Sequence, residues 1–356
     1  MKNIIIARRI DKYLSFPLIE QLERQINVGF FSSSVPDHAG MFGWTVKSTF
    51  DDSCENWEYR FSGETNDSRF DLPALSPRQR YDSYAYQLGQ DIMTIGSVGF
   101  YKSPVGRKKQ TIKQSSEIAI INVSQHKLRF VTVPSASLFL TFPRPLMPTC
   151  VADTLRIVPA YLITEKDKRS RAMVLRSVDA GETWRLFNMF PDEIEASEMA
   201  FIWTETGLLA LIRSESSPFL LESWSEDEGL TWTYPTHCSF SDSKNAGIIG
   251  GPPHLLRLKN NRILCSYGYR GNGGMGIRAV ISDDEGQSWS QPIVLRNDGG
   301  YSSSLRKTSL FKKQAWPGND TGYPVSCQLK SGEILTVYYI TTQDRITGIE
   351  ATRWQP

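Results

Sequence analysis

An octapeptide that occurs three times constrains this chain more than any other feature. Ser177-Val-Asp179-Ala-Gly181-Glu-Thr183-Trp184, Ser225-Glu-Asp227-Glu-Gly229-Leu-Thr231-Trp232 and Ser282-Asp-Asp284-Glu-Gly286-Gln-Ser288-Trp289 all fit S-x-D-x-G-x-[ST]-W. A degenerate fourth copy, Asp52-Ser-Cys54-Glu-Asn56-Trp57, keeps the Asp and the Trp but has Cys where Gly is expected. Each copy reads as a turn between two antiparallel strands: Asp and Ser bond local backbone amides, Gly supplies a left-handed conformation, and Trp packs beneath. The Trp to Trp intervals of 48 and 57 residues match a repeated four-stranded sheet, for which roughly 40 to 50 residues is usual.

A second repeat, L-x-x-G-x-[IL]-[LV], marks a hairpin upstream of each octapeptide. Leu329-Lys-Ser-Gly332-Glu-Ile334-Leu335 is its clearest copy, and Leu258-Lys-Asn-Asn261-Arg-Ile263-Leu264 has Asn in the turn. Ile202 to Leu209, with Gly207, and Leu88 to Met93, with Asp91, are looser versions. Together the repeats predict an all-β six-bladed β-propeller, a single domain over 1–356, with blades near residues 13–58, 83–130, 145–188, 195–234, 248–291 and 321–354. The run Asn3 to Ala7 is strand-like and is expected to complete the last blade. Segments 59–80 and 293–320, rich in Ser, Asp, Gly and Lys, read as long loops.

Composition narrows the partners. Forty basic and 38 acidic residues leave a net charge of +2, so no global field suits nucleic acid or an anionic membrane. The run Arg107-Lys108-Lys109 reads as a solvated loop tip. No segment reaches the roughly 20 apolar residues of a membrane span. Five cysteines (Cys54, Cys150, Cys238, Cys265, Cys327) form no CxxC pair and no metal spacing, and are expected to be buried free thiols. No metal or organic cofactor is implied, and Gly271-Asn-Gly273-Gly274 reads as a loop because no helix and Lys follow it. The start, MKNIIIARRIDKY, is too short in apolar residues for a secretory leader. The chain is therefore expected to be cytoplasmic, or secreted with a leader already removed.

The hairpin repeat also locates candidate chemistry, because equivalent positions of successive repeats point to one end of a propeller. Nine residues before the turn residue lie Glu198 (from Gly207), Tyr323 (from Gly332), Asp82 (from Asp91) and Pro252 (from Asn261). Arg213, six residues after Gly207, returns to the same end. His254 starts the inner strand of the fifth repeat.

With these residues in place the chain resembles the sialidase (neuraminidase) superfamily, whose Asp boxes the octapeptides match as BNR repeats. The resemblance runs over nearly the whole chain and is strongest from Arg171 to Trp354. It implies an exo-acting glycoside hydrolase for a terminal acidic sugar, with a glycan as partner. Tyr323, in Gly322-Tyr323-Pro324, resembles the nucleophile; Glu198 resembles its base, and Arg213, followed by Arg270 or Arg278, the arginines that grip a carboxylate. Asp37, with His38 as competitor in Pro36-Asp37-His38, resembles the acid/base, and Asp82, His38 and His254 complete the candidate substrate contacts. A phenol of ordinary pKa about 10 is a poor nucleophile until a carboxylate takes its proton, and it approaches an anionic substrate with less repulsion than a carboxylate would. The chain departs from the family at two places: Ser15 stands where the first arginine belongs, and Tyr339 where that arginine's supporting Glu belongs. Two other readings share the same fold. One is a polysaccharide lyase in which a Tyr, or a His such as His254 or His38, abstracts a proton α to a uronate carboxylate; the other is a propeller that binds glycans without turning them over.

Overall fold

A computed structural model describes residues 1–33, 42–64, 79–88, 91–100, 113–122, 127–132, 138–140, 154–163, 169–180, 182–241, 248–249, 252–271, 274–307 and 321–356. The described chain is all-β. Strand β1 (Lys2–Ala7) is followed by a sheet of β2 (Tyr13–Gln21), β3 (Ile26–Ser33), β4 (Phe42–Thr49) and β5 (Glu58–Glu64). The second sheet holds β6 (Gln79–Leu88), β7 (Asp91–Phe100), β8 (Lys113–Asn122) and β9 (Lys127–Thr132). The third holds β10 (Leu138–Leu140), β11 (Arg156–Ile163), β12 (Ser170–Ser177) and β13 (Arg185–Asn188). The fourth holds β14 (Ala196–Thr204), β15 (Gly207–Ser214), β16 (Leu220–Ser225) and β17 (Thr236–His237). The fifth holds β18 (Ile248–Ile249), β19 (His254–Arg257), β20 (Ile263–Arg270), β21 (Met275–Ser282) and β22 (Ile293–Gly299). The sixth is β23 (Thr321–Gln328), β24 (Ile334–Thr341) and β25 (Thr347–Trp354), to whose outer edge β1 is added antiparallel.

The chain divides into two compact units. One comprises residues 1–67, 218–220 and 237–356, the other residues 68–217 and 221–236. In each, a middle strand is largely apolar because both its faces are covered, as β24 (every residue buried) and β15 (six buried of eight) show. Between the fifth and sixth sheets, Leu264, Ile277, Ile281, Ile334, Tyr338 and Trp354 form one continuous core. The outer strands are half solvated and correspondingly polar, which is why β5 and β22 lie in segments that read as loops in the sequence. Their position at a sheet edge, not their composition, makes them strands.

The octapeptide turns form as their chemistry requires. The Asp227 carboxylate accepts the Thr231 amide at 2.8 Å and the Ser225 hydroxyl at 2.9 Å, while Ser225 Oγ accepts the Gly229 amide at 2.8 Å. Asp179 and Asp284 repeat this network with Thr183 and Ser288, at 2.8 Å to each amide. Beneath the turns Trp232 stacks on Phe201, with ring centroids 5.0 Å apart, and Trp289 meets Phe240 edge-on at 5.6 Å. In the degenerate copy the working carboxylate is Asp51, not Asp52. Asp51 accepts the Ser53 amide at 2.8 Å and the Asn56 side chain at 3.0 Å, so this turn is built one residue earlier. Cys54 takes the left-handed conformation (φ 56°) and offers its carbonyl to Trp57 at 2.7 Å. Cys54, Cys238, Cys265 and Cys327 are buried free thiols; Cys150 lies outside the described residues.

The hairpin repeat contains two different turns. Gly332 (φ 88°) and Asn261 (φ 65°) are both left-handed, and Leu329 and Leu258 close identical turns onto Glu333 and Arg262. Gly207 does something else. It pairs with Thr204 as the first strand residue, and a Cβ there would sit 2.2 Å from the Ser225 carbonyl oxygen, so glycine is required for close approach of two backbones.

Candidate functional site

Strands β2, β14 and β23 each pair antiparallel with the strand that follows them, and in each the regular pairing breaks within the strand's first five residues. In β2 the pairing jumps from Ser15↔Phe31 to Leu18↔Gly29, leaving Phe16-Pro17 opposite one residue. In β14 it jumps from Ala196↔Ser214 to Met199↔Ile212, leaving Ser197-Glu198 opposite Arg213. In β23 it jumps from Gly322↔Tyr339 to Val325↔Val337, leaving Tyr323-Pro324 opposite Tyr338. In the fifth sheet the inner strand is split at this level, β18 ending at Ile249 and β19 starting at His254. Strand β6 is the exception, with Asp82 paired regularly to Ser97. A bulge re-aims side chains and interrupts the alternation of faces. The register that singles out Glu198 and Tyr323 in the sequence therefore coincides with a bulge in both strands.

In the unit that carries β14, the bulge has a direct chemical result. Consecutive residues of a regular strand point to opposite faces, yet Ser197 and Glu198 both reach the side of β15 that carries Arg213 and, two residues on, Glu215. Arg213 Nη1 donates to Glu198 Oε2 at 2.8 Å, and its Nε lies 3.4 Å from Glu215 Oε1. Ser197 Oγ donates to that same Glu215 oxygen. The backbone closes the arrangement, since the Glu215 amide donates to the Glu195 carbonyl at 3.0 Å and Glu195 pairs with Arg169 at 3.1 Å. Glu198 is only 3 % exposed; Arg213 and Glu215 are more open, at 19 % and 31 % of their side chains. Tyr161, on β11, borders this cluster. Burial, and secondarily the Glu198 carboxylate, pushes its phenol pKa well above the ordinary tyrosine value, so it stays protonated beside the cluster. The sequence did not single out Ser197, Glu215 or Tyr161. Only Glu215 left a trace there, as a charge two residues beyond Arg213 at a strand end.

In the other unit Tyr323 stands in an aromatic cluster. Its ring meets Phe16 edge-on at 4.8 Å and Tyr339 at 5.9 Å, and Tyr339 touches Phe16 at 5.7 Å and Tyr13 at 6.4 Å. Tyr323 is 8 % exposed, Phe16 5 % and Tyr339 1 %. Phe16 (φ 53°) and Tyr323 (φ 51°) are both left-handed and both precede proline. Bulky residues avoid that region at a cost of about 1 to 3 kcal/mol each, so surrounding packing must hold them there. Ser15, beside Phe16, is 1 % exposed, and its hydroxyl has no hydrogen-bond partner among the described residues.

The two arginines weighed in the sequence differ here. Arg270, at the end of β20, donates from Nη2 to the Thr321 carbonyl at 3.1 Å, two residues from Tyr323, and stays partly exposed. Arg278 is buried and commits its donors to backbone: the carbonyls of Ile277 and Gly274, both at 3.1 Å, and that of Arg296. Its guanidinium also covers the Tyr269 ring at 4.5 Å, and burial lowers its pKa. His254 is wholly buried, and its Nδ1 accepts the Ser326 amide at 3.3 Å. That contact ties β19 to β23. Asp37 and His38 lie outside the described residues, and of Asp82 only the backbone is described. Among the described residues no three His, Cys, Asp or Glu side chains are grouped to hold a metal ion.

Residues 132–341 match the family model of the BNR repeat-like domain. The chain belongs to that family. Among solved structures it is similar to a protein of unknown function from Dyadobacter fermentans, 18 % identical with a TM-score of 0.74, covering 100 % of this chain and 98 % of that one. It is also similar to Trypanosoma rangeli sialidase, 12 % identical with a TM-score of 0.60, covering 99 % of this chain and 57 % of that one. A third likeness is to the NanB sialidase of Streptococcus pneumoniae, 10 % identical with a TM-score of 0.62, covering 99 % of this chain and 70 % of that one. At these identities the likeness is one of fold. The BNR repeat-like chain thus shares the all-β architecture on which sialidases are built, while the activity has to be argued from its own residues.

Proposed function

We propose that this BNR repeat-like chain is a single six-bladed β-propeller and a glycoside hydrolase that removes a terminal sugar. In this reading Tyr323 Oη attacks the anomeric carbon as the bond to the leaving oxygen breaks. Glu198 takes the phenolic proton, and Asp37 gives its proton to the departing alcohol. Water, deprotonated by Asp37, then attacks the glycosyl-tyrosine and releases the sugar, restoring the phenol from Glu198. Arg213 and Arg270 orient the sugar's oxygens; Arg278, with its donors on backbone carbonyls, is the weaker candidate of the two later arginines.

The observation that carries the reading is that a bulge in each of two strands takes in the residue singled out by the hairpin repeat, Tyr323 in β23 and Glu198, with its arginine, in β14. Strained backbone at Phe16 and Tyr323 adds to it, since such strain concentrates where geometry serves a site. The test is a panel of aryl glycosides, including sialosides, uronides and rhamnosides, assayed with wild type and Tyr323→Phe. Turnover that disappears in the variant while sugar binding survives supports the assignment; unchanged turnover overturns it.

A second reading, a glycan-binding propeller without turnover, is favoured by one observation, the deep packing of Tyr323 against Phe16 and Tyr339. Binding by wild type with no hydrolysis of any panel member selects it. The lyase reading draws no support from His254, whose burial and backbone contact suit a strand tie better than a base; an unsaturated product absorbing in the ultraviolet would revive it.

A further inference from the structure

Three turns of the unit that carries Tyr323 converge on a cavity of about 240 Å³. They are the turn between β2 and β3, closed from the Leu22 amide to the Gln25 carbonyl at 2.8 Å, the degenerate octapeptide, closed from the Cys54 amide to the Asp51 carbonyl at 2.8 Å, and the turn between β23 and β24 at Leu329. Side chains hold the three together. Gln21 Nε2 donates to the Gln328 carbonyl at 3.0 Å, and Arg353 joins the Ser53 carbonyl at 2.7 Å to Glu333 at 3.2 Å. The shape of the cavity is therefore set before anything enters it. Ile26, Thr49, Cys54 and Leu329 line it as buried residues, whereas Leu22 and Phe50 at its edge are 46 % and 53 % exposed. Phe50 occupies the place that Val178, Glu226 and Asp283 hold in the regular octapeptides, and the turn that follows it is one residue longer than theirs.

The polar edge of the cavity carries both signs of charge. Glu23 and Asp52 offer carboxylates and Arg24 and Lys330 offer cations; all four are exposed, and none of these side chains is committed to an ion pair or hydrogen bond among the described residues. A carboxylate only accepts and an ammonium or guanidinium only donates, whereas a hydroxyl does both. A metal cation would meet two like charges here, and so would an anion. A sugar ring can satisfy both kinds of group while laying its apolar C–H face on Phe50 and Leu22. The volume lies below the roughly 300 Å³ at which pockets for drug-sized ligands begin, so it suits one ring and not an extended chain. We propose that this cavity is a second glycan-binding site that takes a single neutral pyranose ring. It lies at the far ends of β2 and β23, six residues beyond Phe16 and Tyr323, a separation of about 20 Å along extended strands. It does not depend on Tyr323 being a nucleophile.

The probes are the methyl glycosides of glucose, galactose, mannose and rhamnose, titrated into the full chain labelled with 5-fluorotryptophan and followed by fluorine NMR. Trp57 is the local reporter, because its indole donates to the Cys54 carbonyl at 2.7 Å; Trp57→Phe assigns its signal. At least one glycoside is expected to move that signal saturably with a Kd in the millimolar range. Phe50→Ala should weaken the titration by about tenfold or more, and Asp52→Asn or Lys330→Met by about threefold. All three side chains are exposed, so the variants keep the fold. Tyr323→Phe should leave the titration unchanged, and acetate and glycine betaine, an anion and a zwitterion, should leave the Trp57 signal in place. Absence of a Trp57 shift with every glycoside overturns the proposal, as does a shift that Phe50→Ala leaves intact, that Tyr323→Phe removes, or that acetate or betaine reproduces. A Trp57 titration by a chain that turns over no aryl glycoside leaves this site standing and removes the catalytic reading.

Discussion

Among the described residues, the largest stability effect expected from a single charge is at Glu350. Arg296, on β22, and Glu350, on β25, are 6 % and 4 % exposed and meet at 2.6 Å. Arg296 also grips Asp298 with two bonds of 2.8 Å and reaches the Tyr338 hydroxyl at 3.2 Å. Burial raises the Tyr338 phenol to about 12, with the neighbouring Arg296 holding it from going further. Arg8 stands 3.7 Å from Glu350 and binds Asp344 at 2.6 Å, so the network ties the start of the chain to the fifth and sixth sheets. Two unit charges 2.6 Å apart attract by about 6 kcal/mol at an effective dielectric of 20, before the cost of taking both out of water is set against it. Glu350→Gln keeps a neutral hydrogen bond and leaves Arg296 its Asp298 partner, so the net loss should be about 2 to 3 kcal/mol, below the 3 to 5 expected when a buried charge is fully orphaned. Asp298 is 57 % exposed on its side chain, and Asp298→Asn should cost less than about 1 kcal/mol. Replacing both buried partners, Arg296→Met with Glu350→Leu, should recover most of the loss. Urea unfolding followed by tryptophan fluorescence measures all three. If Glu350→Gln costs no more than Asp298→Asn, the pair is not energetically buried and the reasoning fails.

Two further outcomes follow from the turns. The hydrogen bonds to Asp179 hold its pKa down at about 2 against the opposing effect of burial; a depressed carboxylate pKa stabilises the fold above the unfolded value near 4 and loses that stability as pH falls toward 2. Asp179→Ala should therefore lower stability at pH 6 by about 1 to 2 kcal/mol and show a shallower loss on acidification than wild type, and equal acid slopes in thermal melts would count against it. Gly207→Ala forces a Cβ to 2.2 Å from the Ser225 carbonyl, whereas at Gly332 nothing lies within 4 Å. The first should cost about 2 kcal/mol or more and the second about 1, from backbone conformation alone; comparable midpoints in urea would refute the distinction.

These turns also mark the boundary of what local sequence can specify. The octapeptide was readable because every partner of Asp227 lies within four residues of it, so composition and conformation are bound together. The same holds for Asn261 in place of Gly332. Where a partner comes from another strand the reading failed by small but consequential amounts. Gly207 looks like a turn residue and is a contact residue, Asp52 looks like the box carboxylate and Asp51 does its work, and β5 and β22 look like loops because an edge strand needs no apolar code. The ion network of Arg296, Glu350 and Arg8 spans more than 340 residues of chain and has no sequence signature at all.

The bulges lie between these cases, and they govern the candidate site. Pro17 and Pro324 hint at two of them, since proline cannot donate to a ladder and settles where pairing is interrupted. Nothing in Ser197-Glu198 gives that hint. A strand with regular alternation would send Glu198 to one face and Ser197 to the other, leaving Arg213 with a single carboxylate and Glu215 without its hydroxyl donor. The sequence could thus supply the residue types of a carboxylate clamp, whereas the bulge decides which charges share a face. By placing Ser197, Glu198, Arg213 and Glu215 together, it sets two carboxylates beside the one guanidinium that reads along the strand as a lone arginine. A substitution that restores regular pairing in β14 would therefore separate Ser197 from Glu198 and take apart this cluster even if every polar residue of it were kept.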